Sequence, residues 1–344
     1  MKISICIPQY NRVAYLLENL RRLERQTYNN IEVVISDDCS SDDTKERVLE
    51  LSTNYKYPLV YHRNESNSGY DRNYRKCIEL SSGDYAFILG NDDSLNGDDA
   101  ISLLVDFLHQ QKYPDIGFCN MVEGVENGEM IKRASGNRFV GSGVEVAFQY
   151  YSCFSFVGGL IYKTDSFRKF NSSKSDGSIY AQIYIGILMV AGGCRLFCME
   201  NVFVIKDILM EGIPRGSYKE RLAKKWKDFK IVDGGLPSVI HVVVTAFKDA
   251  GFHDQSLLFR SFRRTYLFTF PYWIMDYRQQ DAFPEAWGLF RGMSPGLNSD
   301  MPLLTGWNRF KIWVFYFISA AASLILPLFI LRGLHRYFYG YLKR

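Results

Sequence analysis

The 344-residue sequence contains no Cys-x-x-Cys pair. Its seven cysteines are scattered, and the two nearest, Cys194 and Cys198, have no histidine close by in sequence. A structural zinc site is therefore excluded, and reduced thiols of a cytoplasmic protein are expected. No acidic residue follows Asp300, whereas Arg309, Lys311, Arg332, Arg336, Lys343 and Arg344 all do. The formal charge of the whole chain is only +4, so this imbalance is local. Because the cations flank an apolar run instead of forming a patch, they point to an anionic membrane surface and away from nucleic acid. A secretory leader is not expected either: Met1 to Pro8 is a short β-branched run that ends in a Pro-containing loop, which reads as a strand.

What is present is a regular alternation. Residues 2 to 7 read as a strand stopped by Pro8, and Ala14 to Gln26 as a helix with Leu16, Leu17, Leu20 and Leu23 on one stripe. Ile31 to Ser36 is the next strand, ending at Asp37-Asp38, after which Ser40, Ser41 and Asp42 offer cap chemistry for a helix from Thr44 to Leu51. Leu59 to His62 is a third strand, Asp71 to Ser81 a helix, and Gly83 to Leu89 a fourth strand running into Asn91-Asp92-Asp93. Strands alternating with helices predict a parallel sheet with right-handed crossovers. In such sheets ligands bind beyond the carboxyl ends of the strands, where Pro8 to Arg12, Asp37-Asp38, Asn67 to Arg72 and Asn91 to Asp93 fall.

Four motifs then line up in order. Pro8-Gln9-Tyr10-Asn11 closes the first strand, and Gln26 precedes the acidic Glu32 of the second. Asp37, Asp38, Ser40, Asp42 and Thr44 give Asp-Asp-x-Ser-x-Asp-x-Thr, and Asn67, Gly69, Arg72 and Asn73 follow. With these the first hundred or so residues resemble the family 2 nucleotide-sugar glycosyltransferases, similar to the abequosyltransferase-like enzymes of bacterial O-antigen and capsule synthesis. The resemblance implies an α/β chain of GT-A fold, with a Rossmann-like, mostly parallel central sheet flanked by helices; the apolar, basic end adds the expectation of a C-terminal helical membrane-associating region. Residues 1–215 would form the catalytic domain (1–110 the nucleotide-sugar half, 111–215 the acceptor half). Residues 216–344 would form a helical region with a hydrophobic membrane segment at about 312–331.

The same resemblance assigns roles. Asp92, the second acid of a partial Asp-x-Asp whose first acid falls on Gly90, would hold Mn or Mg with help from Asp93. A hard cation bound by carboxylate oxygens stabilises the charge that accumulates on a diphosphate leaving group. Pro8, Tyr10, Asn11, Asp37, Asp38, Asn67, Gly69, Arg72 and Asn91 would bind the donor, with Asp38 on the base or ribose and either Asp37 or Asp42 structural. Phe156 to Lys163 looks like the small-residue strand lining the acceptor cleft. Inverting relatives carry a Glu-Asp pair that aligns near Ala181-Gln182, and Gln182 cannot take a proton at neutral pH. Asp176, the nearest carboxylate in sequence, is the candidate base; the alternative is a surface-loop acid. Gly212 to Ser217 reads as a mobile loop over the donor.

In the C-terminal part, Leu257 to Trp273 interleaves Arg260, Arg263 and Arg264 with aromatics, which suits a membrane interface or a core. Ile312 to Leu331 is a run of 20 residues without a charge, about the length that spans a bilayer. Trp313 and Tyr316 at one end and Tyr337, Tyr339 and Tyr341 at the other resemble interfacial belts. Pro327 leaves a kink or an in-plane hairpin open. The expected function is transfer of a sugar from a nucleotide-diphosphate donor to a saccharide acceptor on a polyprenyl lipid, at the cytoplasmic face of the inner membrane. The rivals are a processive synthase, for which only Lys224-Lys225-Trp226 approaches the Gln-x-x-Arg-Trp motif, and a non-catalytic membrane-tethered sugar-nucleotide-binding protein.

Overall fold

Strand β1 (Ile3–Gln9) is almost wholly buried because it has parallel neighbours on both sides, β2 (Ile31–Asp37) and β4 (Tyr85–Ile88). β3 (Leu59–Arg63) continues the parallel set on the far side of β2. The connections are helices α1 (Val13–Leu23), α2 (Thr44–Ser52) and α3 (Tyr70–Glu79). α1 buries Leu16, Leu20 and Leu23, one stripe at helical spacing against the sheet. Pro8 does not end β1, which runs on to Gln9. β4 pairs with β1 only as far as Cys6–Ile88, so at Pro8 the strand has a partner on the β2 side alone and its missing N–H costs no ladder bond on the other.

The computed structural model describes residues 1–213 and 236–342. It divides into two compact units, Met1–Asp176 with Tyr180–Arg215, and Gly177–Ile179 with Gly216–Arg344. In the first unit the sheet continues through β5 (Ser94–Leu95), β6 (Ile116–Glu123), β7 (Met130–Ile131), β8 (Arg138–Gly141), β9 (Leu160–Lys163) and β10 (Leu196–Lys206), in the order β3-β2-β1-β4-β9-β6-β10-β5. The sheet is mixed, not mostly parallel. The strand–helix–strand repeats stop at β4. Beyond it β9 lies between β4 and β6 and runs against both, and β5 runs against β10. The strand expected from Phe156 starts only at Leu160, so Phe156 to Gly159 is a loop at its entrance.

The second unit has no strand among the described residues. Its helices are Leu236–Asp249, Gln255–Arg264, Phe270–Gln279, Phe283–Gly292, Gly306–Ile325 and Leu328–Leu342. Phe262, Tyr266, Phe270 and Tyr316 fill its core, with the Tyr316 ring stacked on Phe270 and Phe290 and its hydroxyl donating to the Phe290 carbonyl. The aromatics of Leu257 to Trp273 are thus largely core, and Tyr316 is not an interfacial ring. The 20-residue apolar run is not one helix. A proline ring crowds the residue before it out of the helical region, and Pro327 does this to Leu326, whose backbone is extended. The helix that began at Gly306 therefore ends at Ile325, and a new one starts at Leu328. No helix among the described residues is long and apolar enough to cross a membrane. The Gly212–Ser217 loop from Pro214 onward and Lys224 to Trp226 lie outside the described residues.

Candidate active site

At the end of β2 the two acids are saturated with donors. The Asp37 carboxylate accepts from the backbone N–H and hydroxyl of Ser40 and from the Tyr61 hydroxyl at 2.6 Å, with Arg63 nearby. Asp38 accepts from the Ser68 N–H and hydroxyl at 2.7 Å each, from Asn64 and from the Gly69 N–H. Both are buried. Asp42 accepts from the Val13 N–H with one oxygen and from Thr44 with the other, so it caps the starts of α1 and α2 together. Asp37 and Asp42 both tie the local backbone through these bonds, and Asp38 fixes the turn that carries Asn67 and Gly69. The Asn67 side chain closes that turn on the Gly69 N–H.

Past the end of β4 the acids also meet one another. Asp92, Asp93 and Asp207 each present a carboxylate oxygen within 4.8 Å of the others. The antiparallel register of β5 on β10, Leu95 to Val204 and Ser94 to Ile205, brings Asp207 opposite Asp92. The Ile208 N–H bonds the Asp92 carbonyl and the Asp207 N–H bonds the Asp93 carboxylate. Asp93 is buried and its pKa is pushed up to about 8, first by burial and then by the Asp92 charge. Burial also raises Asp92, opposed by the Arg12 guanidinium that pairs with it, and Asp207 adds to the rise. Asp207 itself pairs with Lys206. Three crowded oxygen donors at a strand edge fit a hard divalent cation, and Mg or Mn is the class such ligands select.

Asn11 and Arg12 both take left-handed backbone conformations, as does Asp207. In non-glycine residues such conformations persist only where surroundings hold them. The Asn11 side chain accepts from the Ser41 N–H, and the buried Gln9 side chain bridges the Asn11 carbonyl and Asn91. These contacts aim Arg12 at Asp92. Tyr10, 44% exposed, offers an open ring face at the same rim, and Arg72 is exposed on the first turn of α3.

Asp93 is accommodated by two glycines. A Cβ at Gly90 or at Gly158 would lie 2.6 Å from its Oδ2. An acid at position 90, the first of an Asp-x-Asp, has no room while Asp93 points inward. Gly158 belongs to the Phe156–Gly159 loop, which Arg133 clamps by donating to the carbonyls of Cys153, Phe156 and Gly158 while also holding Cys119 on β6. Neither Asp207 nor Arg133 was found by sequence reasoning. The available signal for Asp207 was a carboxylate just past a strand; for Arg133 there was none.

The candidate base is held by a guanidinium. Both Asp176 oxygens take guanidinium hydrogens from Arg75 of α3, which ties the segment after helix Thr164–Phe170 to α3. Helix Ala181–Ala191 does open at Ala181, and the acid at its first N–H is Asp71 from α3. Gln182 is buried and donates weakly toward the Ser155 carbonyl.

A family model described as "Glycosyl transferase family 2" matches residues 4–200. Over 125 residues the chain is 42% identical to the abequosyltransferase RfbV of Salmonella typhimurium, covering 36% of this chain and 37% of that protein. Over 135 residues it is 27% identical to the GalNAc(5)-diNAcBac-PP-undecaprenol beta-1,3-glucosyltransferase of Campylobacter jejuni, covering 39% and 42%. These matches span less than half the length of either relative. Among solved structures, S. aureus TarS 1–349 in complex with UDP-GlcNAc superposes with a TM-score of 0.60 at 16% identity, covering 99% of this chain and 92% of that one. The mannosyltransferase PcManGT of Pyrobaculum calidifontis, in complex with GDP-Man and Mn2+, gives 0.50 at 14% identity, covering 94% and 87%. At these identities the likeness establishes the GT-A fold.

Proposed function

The chain belongs to glycosyl transferase family 2, and from that premise we propose that it transfers a sugar from a nucleotide-diphosphate donor to a saccharide acceptor in bacterial surface-polysaccharide synthesis. The observation that carries this reading is the convergence of Asp92, Asp93 and Asp207 beside Arg12 at the carboxyl end of the sheet. The acids would hold Mn or Mg, which when bound supplies Lewis-acid stabilisation to the departing diphosphate. Arg12 adds a fixed guanidinium beside them for phosphate oxygens. Tyr10 provides a stacking face for the base and Arg72 a second cation, while Pro8, Asn11, Asn67, Gly69 and Asn91 shape the donor rim. Asp38 acts by holding the Asn64–Gly69 turn, and through it the donor pocket. Asp176 is left out of the catalytic set because Arg75 engages both of its oxygens.

The acceptor in this reading is a saccharide on a polyprenyl lipid, in keeping with the name of the Campylobacter relative. The enzyme would then work on the cytoplasmic face of the plasma membrane, with residues 216–344 as the attaching part. Purified full-length protein is to be incubated with a panel of sugar nucleotides, with Mn, with Mg and with EDTA. Metal-dependent release of nucleoside diphosphate, with one sugar added per acceptor, is expected. Donor binding without turnover across the whole panel would make the protein a non-catalytic binder, and long products would make it a processive synthase.

A further inference from the structure

Along helix Gly306–Ile325 the outward side is more apolar than the inward one. Trp307, Phe310, Val314, Phe317, Ile318 and Ile325 are all exposed, Trp307 by 66% and Ile325 by 77%. The inner face buries Ile312, Tyr316, Ser319, Ala320 and Ser323. At 3.6 residues per turn the six exposed residues fall within an arc of about 100°. A stripe of that width is what a surface helix normally turns toward a core. The apolar exposure continues past Pro327 with Phe329, Ile330 and Tyr337.

We infer that this stripe lies in the plane of an anionic lipid surface and is the docking face of the chain, an inference that rests on the membrane-surface reading above and specifies how it is met. Two observations select lipid over other occupants. The residues from 301 on carry six cations and no acid, so an anionic headgroup layer attracts this segment, whereas a second copy of the same stripe would bring like charges together. The Lys311 amine lies over the Trp307 and Phe259 rings, beside the stripe, so a cation is set against the apolar surface where it can meet anionic headgroups. The broken helix and its two N-terminal cations fit a helix lying in the interface, not crossing it.

The test uses the full-length chain and sedimentation with vesicles of phosphatidylcholine, with and without phosphatidylglycerol. Binding to the mixed vesicles should exceed binding to phosphatidylcholine alone by about tenfold and weaken as salt is raised. Phe317→Glu with Ile318→Glu, two exposed positions, should lower binding by about tenfold or more while the thermal melt stays in place. Lys311→Glu should lower it less and mainly at low salt. Binding that is absent for the unsubstituted chain, or unchanged by the double substitution, overturns the inference. Concentration-dependent self-association without vesicles that the double substitution abolishes would overturn it in favour of a second copy. Vesicle binding is read without any sugar nucleotide, so its failure is separate from failure of the transferase reading.

Discussion

The ends of β2 and β4 carry the same dipeptide, Asp-Asp, at the same edge of one sheet, and do opposite things. Asp37 and Asp38 are surrounded by hydroxyls, amide N–H groups and Arg63, so their charges are met inside the fold. Asp92 and Asp93 meet a third acid, Asp207, and their pKa values rise, first by burial and then by the charges of the neighbouring carboxylates. A carboxylate met by donors stabilises structure, whereas one buried beside like charges is driven toward its protonated form. The difference comes from neighbours on other strands and not from the pair itself.

The sharpest way to break this contrast is Asp207→Asn. Transfer at saturating Mn should fall by about a thousandfold if, as proposed, Asp207 is one of three cation ligands, while the melting temperature holds or rises as crowding is relieved. An unchanged rate would remove Asp207 from the site. Asp37→Ala should do the reverse, costing about 4 kcal/mol in a urea melt by leaving the Tyr61 hydroxyl and the Ser40 N–H without their acceptor and removing the charge beside Arg63. A loss of activity with intact stability would show that the β2 pair is not structural.

Glu32, a third buried acid met by donors, extends the comparison to pH. It accepts from Ser4, Ser82 and Gly83 and pairs with Lys2, and its pKa is lowered to about 2 despite burial. A depressed folded pKa means that the unfolded chain takes up the proton first as pH falls. The contribution, on the order of 3 kcal/mol, is therefore whole above about pH 4.5 and is lost between there and about pH 2. Urea melts across that range should lose this slope in Glu32→Gln. The smallest effect is expected for Gly90→Ala, whose Cβ would press on Asp93 Oδ2. Mn affinity measured by calorimetry should drop about tenfold with little change in melting temperature.

Much of this was legible in the chain. The first four strands and three helices follow from local periodicity and strand-end polar residues, and their motifs mark the rim where a donor is proposed to bind. The parallel half is legible because each crossover is local in sequence. The second half is not, because β9 and β5 take their places through partners far along the chain, and nothing near Leu160 or Ser94 states which strand will lie beside it. Asp176 stood out because it is near Ala181 in sequence, yet its partner is Arg75 on α3. In the second unit a charge-free run of the right length suggested a span, and Pro327 divided it.

What the sequence by itself determined is the alternation of strands and helices, the polar groups at the strand ends, the apolar and basic character of the last forty or so residues, and the presence of Asp92 and Asp93. What only the tertiary structure decided is which acids meet. Asp207 comes to Asp92 through the pairing of β5 with β10, and Gly90 and Gly158 leave the space that Asp93 fills. Local periodicity reports how a segment buries its own face, and is silent on the distant backbone that will stand against it.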